Sequence, residues 1–300
     1  MIIVNIKNGL GNQMFQYAFG KILEYKYGEK VWFDLMRDEY ENLPLISDLD
    51  VFQIEPIIEI SQKQVNPFKP FSVAYYRINK KYLSYIYFKI RRMVQPNRLI
   101  TEKFPGEYSK YFENLNPAKK YYFLGFWQNA SYYSGFEEKI RKLFQPRDKS
   151  IFQTVLAREI SQSSFATVSL HIRRGDYLTA GFIEPVSEKY IYNAIKLIKS
   201  KLKNPFFYIF TDDPQWVKEN LSIKDPFRLI EGNEGKDSYK DIIFMSLCQH
   251  NIIANSSFSW WGAWLNANTS KIVIAPKLWY STPERDKGSA FITPKEWIRL

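Results

Sequence analysis

The chain has 300 residues, of which 45% are hydrophobic and 17% aromatic, so it can form one large domain or two of ordinary size. The formal net charge is +11, and the single cysteine, Cys248, excludes an intramolecular disulfide and, with only two histidines, argues against a structural zinc site. Neither a secretory leader nor an apolar stretch of membrane-spanning length is evident, so we expect a cytoplasmic protein.

The first predicted unit is a strand, a glycine turn and a helix. An apolar run at 2–6 precedes Gly9 and Gly11, and a helical pattern follows. Glycines let the backbone turn sharply and approach a ligand, and a helix start offers unpaired N–H groups. Asp34, at the end of the next predicted strand, has the spacing of a dinucleotide-binding fingerprint. Met14 stands where the third glycine belongs, so an NAD(P)-dependent oxidoreductase is only an alternative.

The stretch 61–120 carries most of the net charge, with 13 Lys or Arg against 3 Glu. It is interleaved with aromatic residues, and a helix is predicted at 75–92. Such a face can attract nucleic acid, anionic lipid or an acidic substrate, or can simply be a solvated helical surface. We expect no nucleic-acid partner, and peripheral contact with the inner membrane stays an open alternative.

The second half of the chain has a more regular pattern. A strand is predicted at 121–127, a helix at 131–144, and a domain boundary follows at 146–148, dividing the chain into domains 1–150 and 151–300. Strands alternating with helices favour an α/β fold with doubly wound parallel sheets. The predicted strands lie at 167–172, 206–211, 227–230, 251–254 and 271–275, and the predicted helices at 187–202, 214–221, 237–248 and 258–266.

Polar residues follow four of these strands, at 173–176, 211–214, 230–232 and 255–259. In parallel sheets the ligand lies beyond the carboxyl ends of the strands, so these residues are the candidate site.

Two of these strand ends together indicate a diphosphate site. The adjacent guanidiniums of Arg173 and Arg174 repel each other unless an anion lies between them, and Arg matches phosphate oxygens in pairs. Ser256 and Ser257 precede a helix predicted to start near Phe258, and a helix N-terminus attracts anions. The alternatives are arginines paired with surface carboxylates and a serine that only caps the helix.

A divalent ion could hold a diphosphate instead of arginine. Asp48 and Asp50 form an Asp-x-Asp pattern, but it is short and lies away from the basic strand ends. Asp212 and Asp213 suit a helix N-cap and its neighbour. We therefore expect no metal site.

Three segments resemble a known family. The segment 171–177 is similar to the His-x-Arg-Arg-x-Asp motif of fucosyltransferases. The segments 9–17 and 250–265 resemble signatures of the α-1,2-fucosyltransferases, glycosyltransferase family 11. With 241–246 and 275–277 in register, the resemblance covers nearly the whole chain, and 35–120 matches only loosely.

The resemblance implies a GT-B fold, with two facing Rossmann-like domains. The N-terminal domain would be the acceptor side, and the C-terminal domain would bind GDP-fucose, with no metal required. L-fucose would be transferred with inversion to a galactose-containing glycan, giving an α-1,2 linkage, in O-antigen or capsule synthesis. A lipid-linked acceptor is one option.

Residue roles follow from the same resemblance. Arg173 would bind the β-phosphate, with Arg174 beside it or structural. The other donor contacts would come from three groups of residues: His171 and Asp241 at the guanosine, Ser256, Ser257 and Phe258 at the diphosphate, and the loop of Gly9, Gly11 and Asn12 closing from the other domain.

The general base is the least determined role. The acceptor hydroxyl needs a base on the face of the sugar opposite the leaving diphosphate. Asp176 is the first candidate and Glu184 the second. Asp176 could instead orient Arg173 or Arg174.

Overall fold

The computed structural model describes residues 1–35, 47–60, 98–102, 104–116 and 118–300. Within them the chain forms two parallel sheets flanked by helices, which confirms the predicted α/β class. The strands of one sheet come from residues 2–124 and those of the other from 166–299. The predicted boundary near residue 150 falls between the two sheets, and the assignment of acceptor and donor sides to them stays a prediction.

The N-terminal sheet has the strand order β2-β1-β4-β3, and every pair is parallel. All five residues of its first strand are buried, because that strand has neighbours on both edges and lies under a helix. The four strands are β1 (Ile2–Ile6), β2 (Val31–Leu35), β3 (Arg98–Thr101) and β4 (Tyr121–Leu124).

Helix α1 (Leu10–Tyr27) connects the first two strands and covers one face of this sheet. It begins directly after Gly9, earlier than the predicted start beyond Gly11, so Gly11 and Asn12 lie in its first turn. It ends at Gly28, whose φ of 67° lies in the left-handed region that favours glycine. Almost every residue in its first four turns is buried, including the polar Gln13 and Gln16. A helix buried on all sides must pack against more than the sheet it covers.

The C-terminal sheet has the order β10-β9-β8-β5-β6-β7 and is also entirely parallel. Its strands are β5 (Ala166–Ile172), β6 (Pro205–Thr211), β7 (Phe227–Ile230), β8 (His250–Ile252), β9 (Val273–Ala275) and β10 (Ile298–Arg299). The remaining helices are α2 (Glu137–Leu143), α3 (Val155–Ser161), α4 (Glu188–Lys199), α5 (Pro214–Asn220), α6 (Tyr239–Leu247), α7 (Ser257–Leu265), α8 (Pro283–Asp286) and α9 (Ser289–Ile292).

A single aromatic cluster joins the two halves of the molecule. Phe15 of α1 lies 4.5 Å from the Trp260 ring and 5.0 Å from the Trp261 ring of α7, between ring centroids. Tyr133 contacts the same two rings and Trp264. Aromatic side chains bury large areas and gain further from tilted and edge contacts. The hydrophobic core is therefore continuous between the N-terminal and C-terminal sheets.

Two predicted elements are shorter in the structure, and strands β3 and β10 were not predicted. The helix predicted at 131–144 is divided into a 3₁₀ turn and α2, because Gly135 between them has a φ of 81°. The strand predicted at 121–127 ends at Leu124, and Trp127 turns away with a φ of 57°. The helix predicted at 75–92 lies outside the described residues.

Candidate active site

The carboxyl ends of β5 and β8 define the crevice of the C-terminal sheet. These two strands are neighbours, and from them the chain continues toward opposite edges, through β6 and β7 on one side and through β9 and β10 on the other. Such a reversal of strand order is where ligands bind in open α/β sheets. The two strand ends predicted to hold a diphosphate therefore lie side by side at this position.

Arg173 follows β5 and is held by two carboxylates. Its guanidinium donates to Asp176 Oδ1 at 2.8 Å and lies 3.2 Å from Asp212 Oδ2. The side chain is 34% exposed, so the fork is fixed in direction but accessible to a ligand. Gly175 permits this arrangement, because a Cβ there would lie 2.5 Å from the Asp212 carboxylate.

Arg174 is directed away from the crevice. Its guanidinium carbon lies 3.9 Å from the centre of the Trp216 ring, and its Nε lies 3.3 Å from Asp213 Oδ2. Asp213 also accepts from the Trp216 N–H and caps α5, as predicted. Arg174 was predicted either to lie beside Arg173 at the phosphate or to be structural, and these contacts favour the structural role.

The N-terminus of α7 forms the other side of the crevice. Ser256 caps the helix by accepting from the Phe258 N–H at 3.3 Å. The preceding Asn255 is buried, and its amide donates to the carbonyl oxygens of Glu184 and Trp279 at 2.9 and 3.1 Å. These bonds fix the loop before the helix, so the positive end of α7 has a defined direction.

Gly11 brings the N-terminal half into direct contact with this helix end. A Cβ at Gly11 would lie 2.6 Å from the Phe258 nitrogen and 2.7 Å from the Ser257 hydroxyl oxygen. The Trp261 indole donates to the Gly11 carbonyl at 3.0 Å. The glycine turn of α1 and the N-terminus of α7 thus belong to one site.

Asn12 lies next to this contact, partly exposed at the start of α1. Its Oδ1 accepts from Gln128 Nε2 at 2.8 Å, which leaves the Nδ2 group of Asn12 to act as a donor. Gly9 is exposed, and a Cβ placed on it would have no other atom within 4 Å. At the start of α1, Gly11 is therefore in tight contact with α7, whereas the backbone at Gly9 is open to a ligand.

His171, near the end of β5, is buried beneath the crevice, 5.7 Å from the Phe258 ring between centroids. Burial lowers the pKa of its imidazole to about 3, and the nearby Arg173 charge contributes in the same direction. The ring is therefore neutral at physiological pH. Its Nδ1 has no hydrogen-bond partner among the described residues.

Asp241 lies in the first turn of α6, the helix that follows β7, and β7 is two strands away from β5 in the sheet. Asn233 donates to its Oδ1 at 2.6 Å. Burial raises the pKa of the Asp241 carboxyl to about 7, partly offset by that hydrogen bond. A cavity of about 480 Å³ lies between β7 and the segment 148–156, and Asn233 lines it but Asp241 does not.

The two candidate bases differ in their surroundings. Asp176 has a 67% exposed side chain and is paired with Arg173. Glu184 is exposed, and its backbone carbonyl accepts from Asn255. Only Asp176 is in contact with the residues of the crevice through its side chain.

The aspartates that suggested a dinucleotide site and a metal site are hydrogen-bonded to other side chains. Asp34 is fully buried and accepts from the Tyr122 hydroxyl at 2.6 Å, so its carboxylate is held inside the N-terminal sheet. Asp48 accepts from Gln13 Nε2 at 3.0 Å. Among the described residues no group of three or more His, Cys, Asp or Glu could hold a metal ion.

Several residues around the crevice were missed by sequence reasoning. They are Glu102, Gln128 and Asn233. Asp212 lies within the predicted strand end 211–214 and Tyr177 within the motif 171–177, but neither was given a role at the phosphate. Gln128 follows strand β4, and ligands lie beyond the carboxyl ends of parallel strands, so the sequence does contain a signal for this residue. Tyr177 donates to the Asn255 carbonyl at 3.1 Å, a contact between strand ends that only the folded chain brings together.

Two parallel-sheet α/β halves that meet at a crevice are the architecture of the GT-B glycosyltransferases. The chain belongs to glycosyl transferase family 11, whose model matches residues 1–300. This confirms the family and fold expected from the three motifs.

Curated relatives extend over the whole chain. The chain is 33% identical to an alpha-1,2-colitosyltransferase of Escherichia coli, covering 100% of this chain and 99% of that protein. It is 30% identical to the O-antigen biosynthesis glycosyltransferase WbnK of Escherichia coli, over 98% and 99%. A galactoside 2-alpha-L-fucosyltransferase of Caenorhabditis elegans is 27% identical over 49% of this chain and 43% of that protein.

A solved structure shares the fold. The structure of an Arabidopsis thaliana FUT1 mutant in complex with GDP is similar with a TM-score of 0.51 and 11% identity, covering 91% of this chain and 69% of that chain.

Proposed function

We propose that this protein transfers L-fucose from GDP-β-L-fucose to the 2-hydroxyl of a terminal galactose, with inversion at the anomeric carbon. The observation that carries the proposal is the meeting of Arg173, the N-terminus of α7 and Gly11 in one crevice. This crevice presents a guanidinium and a helix N-terminus, both of which bind phosphate oxygens, and Gly11 brings the N-terminal half of the chain against that helix end. Membership of family 11 and the names of the relatives support fucosyl transfer and the α-1,2 linkage.

Arg173 would stabilise the leaving group. As the bond between the anomeric carbon and the β-phosphate oxygen breaks, negative charge builds on that oxygen while the sugar gains oxocarbenium character. A guanidinium held in place by Asp212 stabilises this charge more in the transition state than in the ground state. The first turn of α7, with Ser256, Ser257 and Phe258, would hold the remaining phosphate oxygens.

Asn12 would donate to the donor from the opposite side. Gln128 fixes the Asn12 amide with its oxygen toward the protein and its Nδ2 available for a ligand. With Gly9 and Gly11, it would close the crevice over the diphosphate and exclude water.

Asp176 would accept the proton of the acceptor hydroxyl as that oxygen forms its bond to the anomeric carbon. In the unliganded protein its carboxylate is paired with Arg173. A diphosphate bound to Arg173 would replace that contact and free the exposed carboxylate for the acceptor.

The guanosine would lie toward the N-terminus of α6, where Asp241 accepts from Asn233. A carboxylate accepts the two N–H groups on one edge of guanine, and hydrogen bonds of this charge-assisted kind are strong. His171, neutral and buried, would contribute an uncharged wall, with its Nδ1 as a hydrogen-bonding group.

This placement predicts a pH-dependent affinity for the donor. The base binds the ionised form of Asp241, whose pKa is about 7 in the unliganded protein, so protonation should weaken donor binding as the pH falls. We expect the KM for GDP-fucose to rise as pH decreases from about 8 to about 6. Asp241→Asn should raise this KM by about tenfold at pH 8 and remove most of the dependence.

Initial rates across pH at saturating acceptor measure this effect. Asp237→Asn, which alters an exposed carboxylate one turn away, is the matched control. A donor KM that is flat with pH in the unsubstituted protein would contradict the assignment of Asp241.

The acceptor would bind on the N-terminal side of the crevice. A galactose-containing glycan is expected, and a lipid-linked one is a further proposal that the basic stretch 61–120 motivates. Among the helices within the described ranges, none has the length and apolar character to cross a bilayer. Binding to anionic vesicles with and without salt would test peripheral membrane contact.

A panel of galactose-terminated acceptors incubated with GDP-fucose tests the function directly. We expect a product with an α-1,2 linkage, established by NMR of the isolated glycan. Thermal stabilisation by NADH without any by GDP would contradict the transferase proposal.

Transfer should persist in EDTA, because arginine and the helix terminus supply the positive charge at the diphosphate. Rates with EDTA and with added manganese should agree within about twofold, against the much larger loss expected where a metal stabilises the leaving group. A strict requirement for manganese would return attention to Asp48 and Asp50.

A transferase with a different donor sugar is the second candidate. It is favoured by the 33% identical relative, which is named for colitose. Competition between GDP-fucose and GDP-colitose for one acceptor distinguishes the two, with kcat/KM for each donor as the measure.

A further inference from the structure

The turn after strand β4 is held by a carboxylate from a neighbouring strand. Glu102, directly after β3, accepts from the Phe126 N–H through Oε2 at 2.5 Å and from the Trp127 N–H through Oε1 at 3.0 Å. The strands β3 and β4 are parallel neighbours, so both end at the same edge of the N-terminal sheet. Gly125 allows the close approach, because a Cβ there would lie 2.6 Å from Glu102 Oε2.

This turn has a backbone conformation that needs support. Trp127 has a φ of 57°, an uncommon value for a side chain of this size. Its ring stacks on Phe19 with centroids 4.6 Å apart, which fixes the side chain in the core. The two hydrogen bonds to Glu102 fix the amides, so the direction in which the chain leaves β4 is set from both sides.

The next residue connects the turn to the crevice. Gln128 is buried, and its Nε2 donates to Asn12 Oδ1 at 2.8 Å. An asparagine amide can present either its oxygen or its nitrogen, and a donor on one side determines which group faces the other. The position of Gln128 therefore decides whether Asn12 presents N–H groups to the crevice.

We propose that Glu102 and Gln128 are positioning residues for Asn12: Glu102 fixes the turn, Gln128 fixes the amide, and Asn12 presents N–H groups to the diphosphate. The proposal rests on the proposed function, since Asn12 must act on the donor for the chain of contacts to affect turnover. Neither Glu102 nor Gln128 touches the substrate in this arrangement.

The charge state of Glu102 supports this role. Burial raises the pKa of its carboxyl to about 7, and the two backbone N–H groups act in the opposite direction. The titratable groups near it are Lys7, Glu107, Tyr132 and Tyr280. The ionised carboxylate accepts both amides, whereas the protonated form loses part of that capacity.

A double-mutant cycle between Glu102 and Asn12 tests the proposal. Glu102→Gln keeps the shape but replaces one acceptor by a donor that opposes an amide N–H, so kcat/KM for GDP-fucose should fall by about tenfold. Asn12→Ala should cause a loss at least as large. Adding Glu102→Gln to Asn12→Ala should cause no further loss, because residues acting through one group are not additive.

Tyr122→Phe is the matched control, since it removes a buried hydrogen bond to Asp34 in the same sheet without contact to the crevice. It should lower the unfolding temperature while leaving kcat/KM within about twofold, and it should combine additively with Asn12→Ala. The proposal would be overturned if Glu102→Gln lowered kcat/KM by the same factor in the Asn12→Ala background as alone, or if Glu102→Gln alone caused no loss of kcat/KM. If Glu102→Gln does not fold, Gln128→Ala takes its place in the same cycle.

A pH series provides a second readout. Protonated Glu102 resembles glutamine, so the ratio of kcat/KM between the unsubstituted protein and Glu102→Gln should approach 1 as the pH falls below about 7. The ionisation of Asp241 occurs in both proteins and cancels in the ratio. A constant ratio would show that the carboxylate charge has no part. Absence of fucosyl transfer from the unsubstituted protein would overturn the proposed function instead.

Discussion

Arg173→Ala should reduce kcat for fucosyl transfer by about 10²–10³-fold, the loss typical of removing one group that stabilises charge in a transition state. The guanidinium is the cation that the structure places at the crevice with a fixed direction, held by Asp176 and Asp212. Its neighbour Arg174 is stacked on Trp216 and cannot replace it without leaving that ring. Single-turnover rates at saturating GDP-fucose measure the effect on the chemical step.

Arg173→Lys separates charge from geometry. Lysine keeps the positive charge but lacks the planar fork, so it should recover only part of the rate. Both variants should unfold within about 1 kcal/mol of the unsubstituted protein, since a partly exposed ion pair contributes little stability. Turnover of Arg173→Ala near the unsubstituted rate, with a native unfolding profile, would remove the central element of the proposed function.

Gly11→Ala should damage the crevice by a different route. Its Cβ would lie 2.6 Å from the Phe258 nitrogen and 2.7 Å from the Ser257 carbonyl carbon, both backbone atoms that cannot rotate away. The N-terminus of α7 must therefore move relative to α1. Overpacking of this kind costs about 1–3 kcal/mol of stability, and a displacement of about 1 Å in a reacting site can reduce turnover about 10²-fold.

Gly20→Ala on the same helix is the matched control. Its Cβ would lie 2.6 Å from the Phe33 ring, so it overpacks the N-terminal core on α1 about 13 Å from Gly11. Unfolding curves should show a similar loss of stability for both variants. Steady-state kinetics should show a large loss only for Gly11→Ala, and equal kinetic losses in the two would contradict a specific role for the contact at Gly11.

The sequence predicted most strands of both sheets, but neither β3 nor β10. Strands β5, β6 and β7 agree with the predicted strands within one residue, because each is an apolar run bounded by polar or proline-containing segments. In contrast, β3 has four residues in a basic stretch, and its burial depends on pairing with β4. A strand this short has too few residues to show a period.

The site residues divide in a similar way. Arg173, Ser256 and Gly11 could be selected from the sequence because each belongs to a recognisable local pattern, a strand end, a helix start or a glycine turn. The contacts that orient them are not visible in the sequence, since Asp212, which holds Arg173, follows a different strand of the same sheet, and the Trp261 indole that donates to the Gly11 carbonyl comes from the other half of the chain. Local patterns identify groups capable of the chemistry, whereas their orientation depends on contacts between distant segments.

The aromatic cluster shared by α1 and α7 limits how this enzyme could be recombined with its relatives. Phe15 and Tyr133 from one half pack against Trp260 and Trp261 of the other. A chimera that joined the N-terminal half of one relative to the C-terminal half of another would have to match these ring surfaces under the crevice. Exchange of acceptor specificity should therefore succeed by grafting loops at the carboxyl edge of the first sheet, with both helices inherited together from one parent.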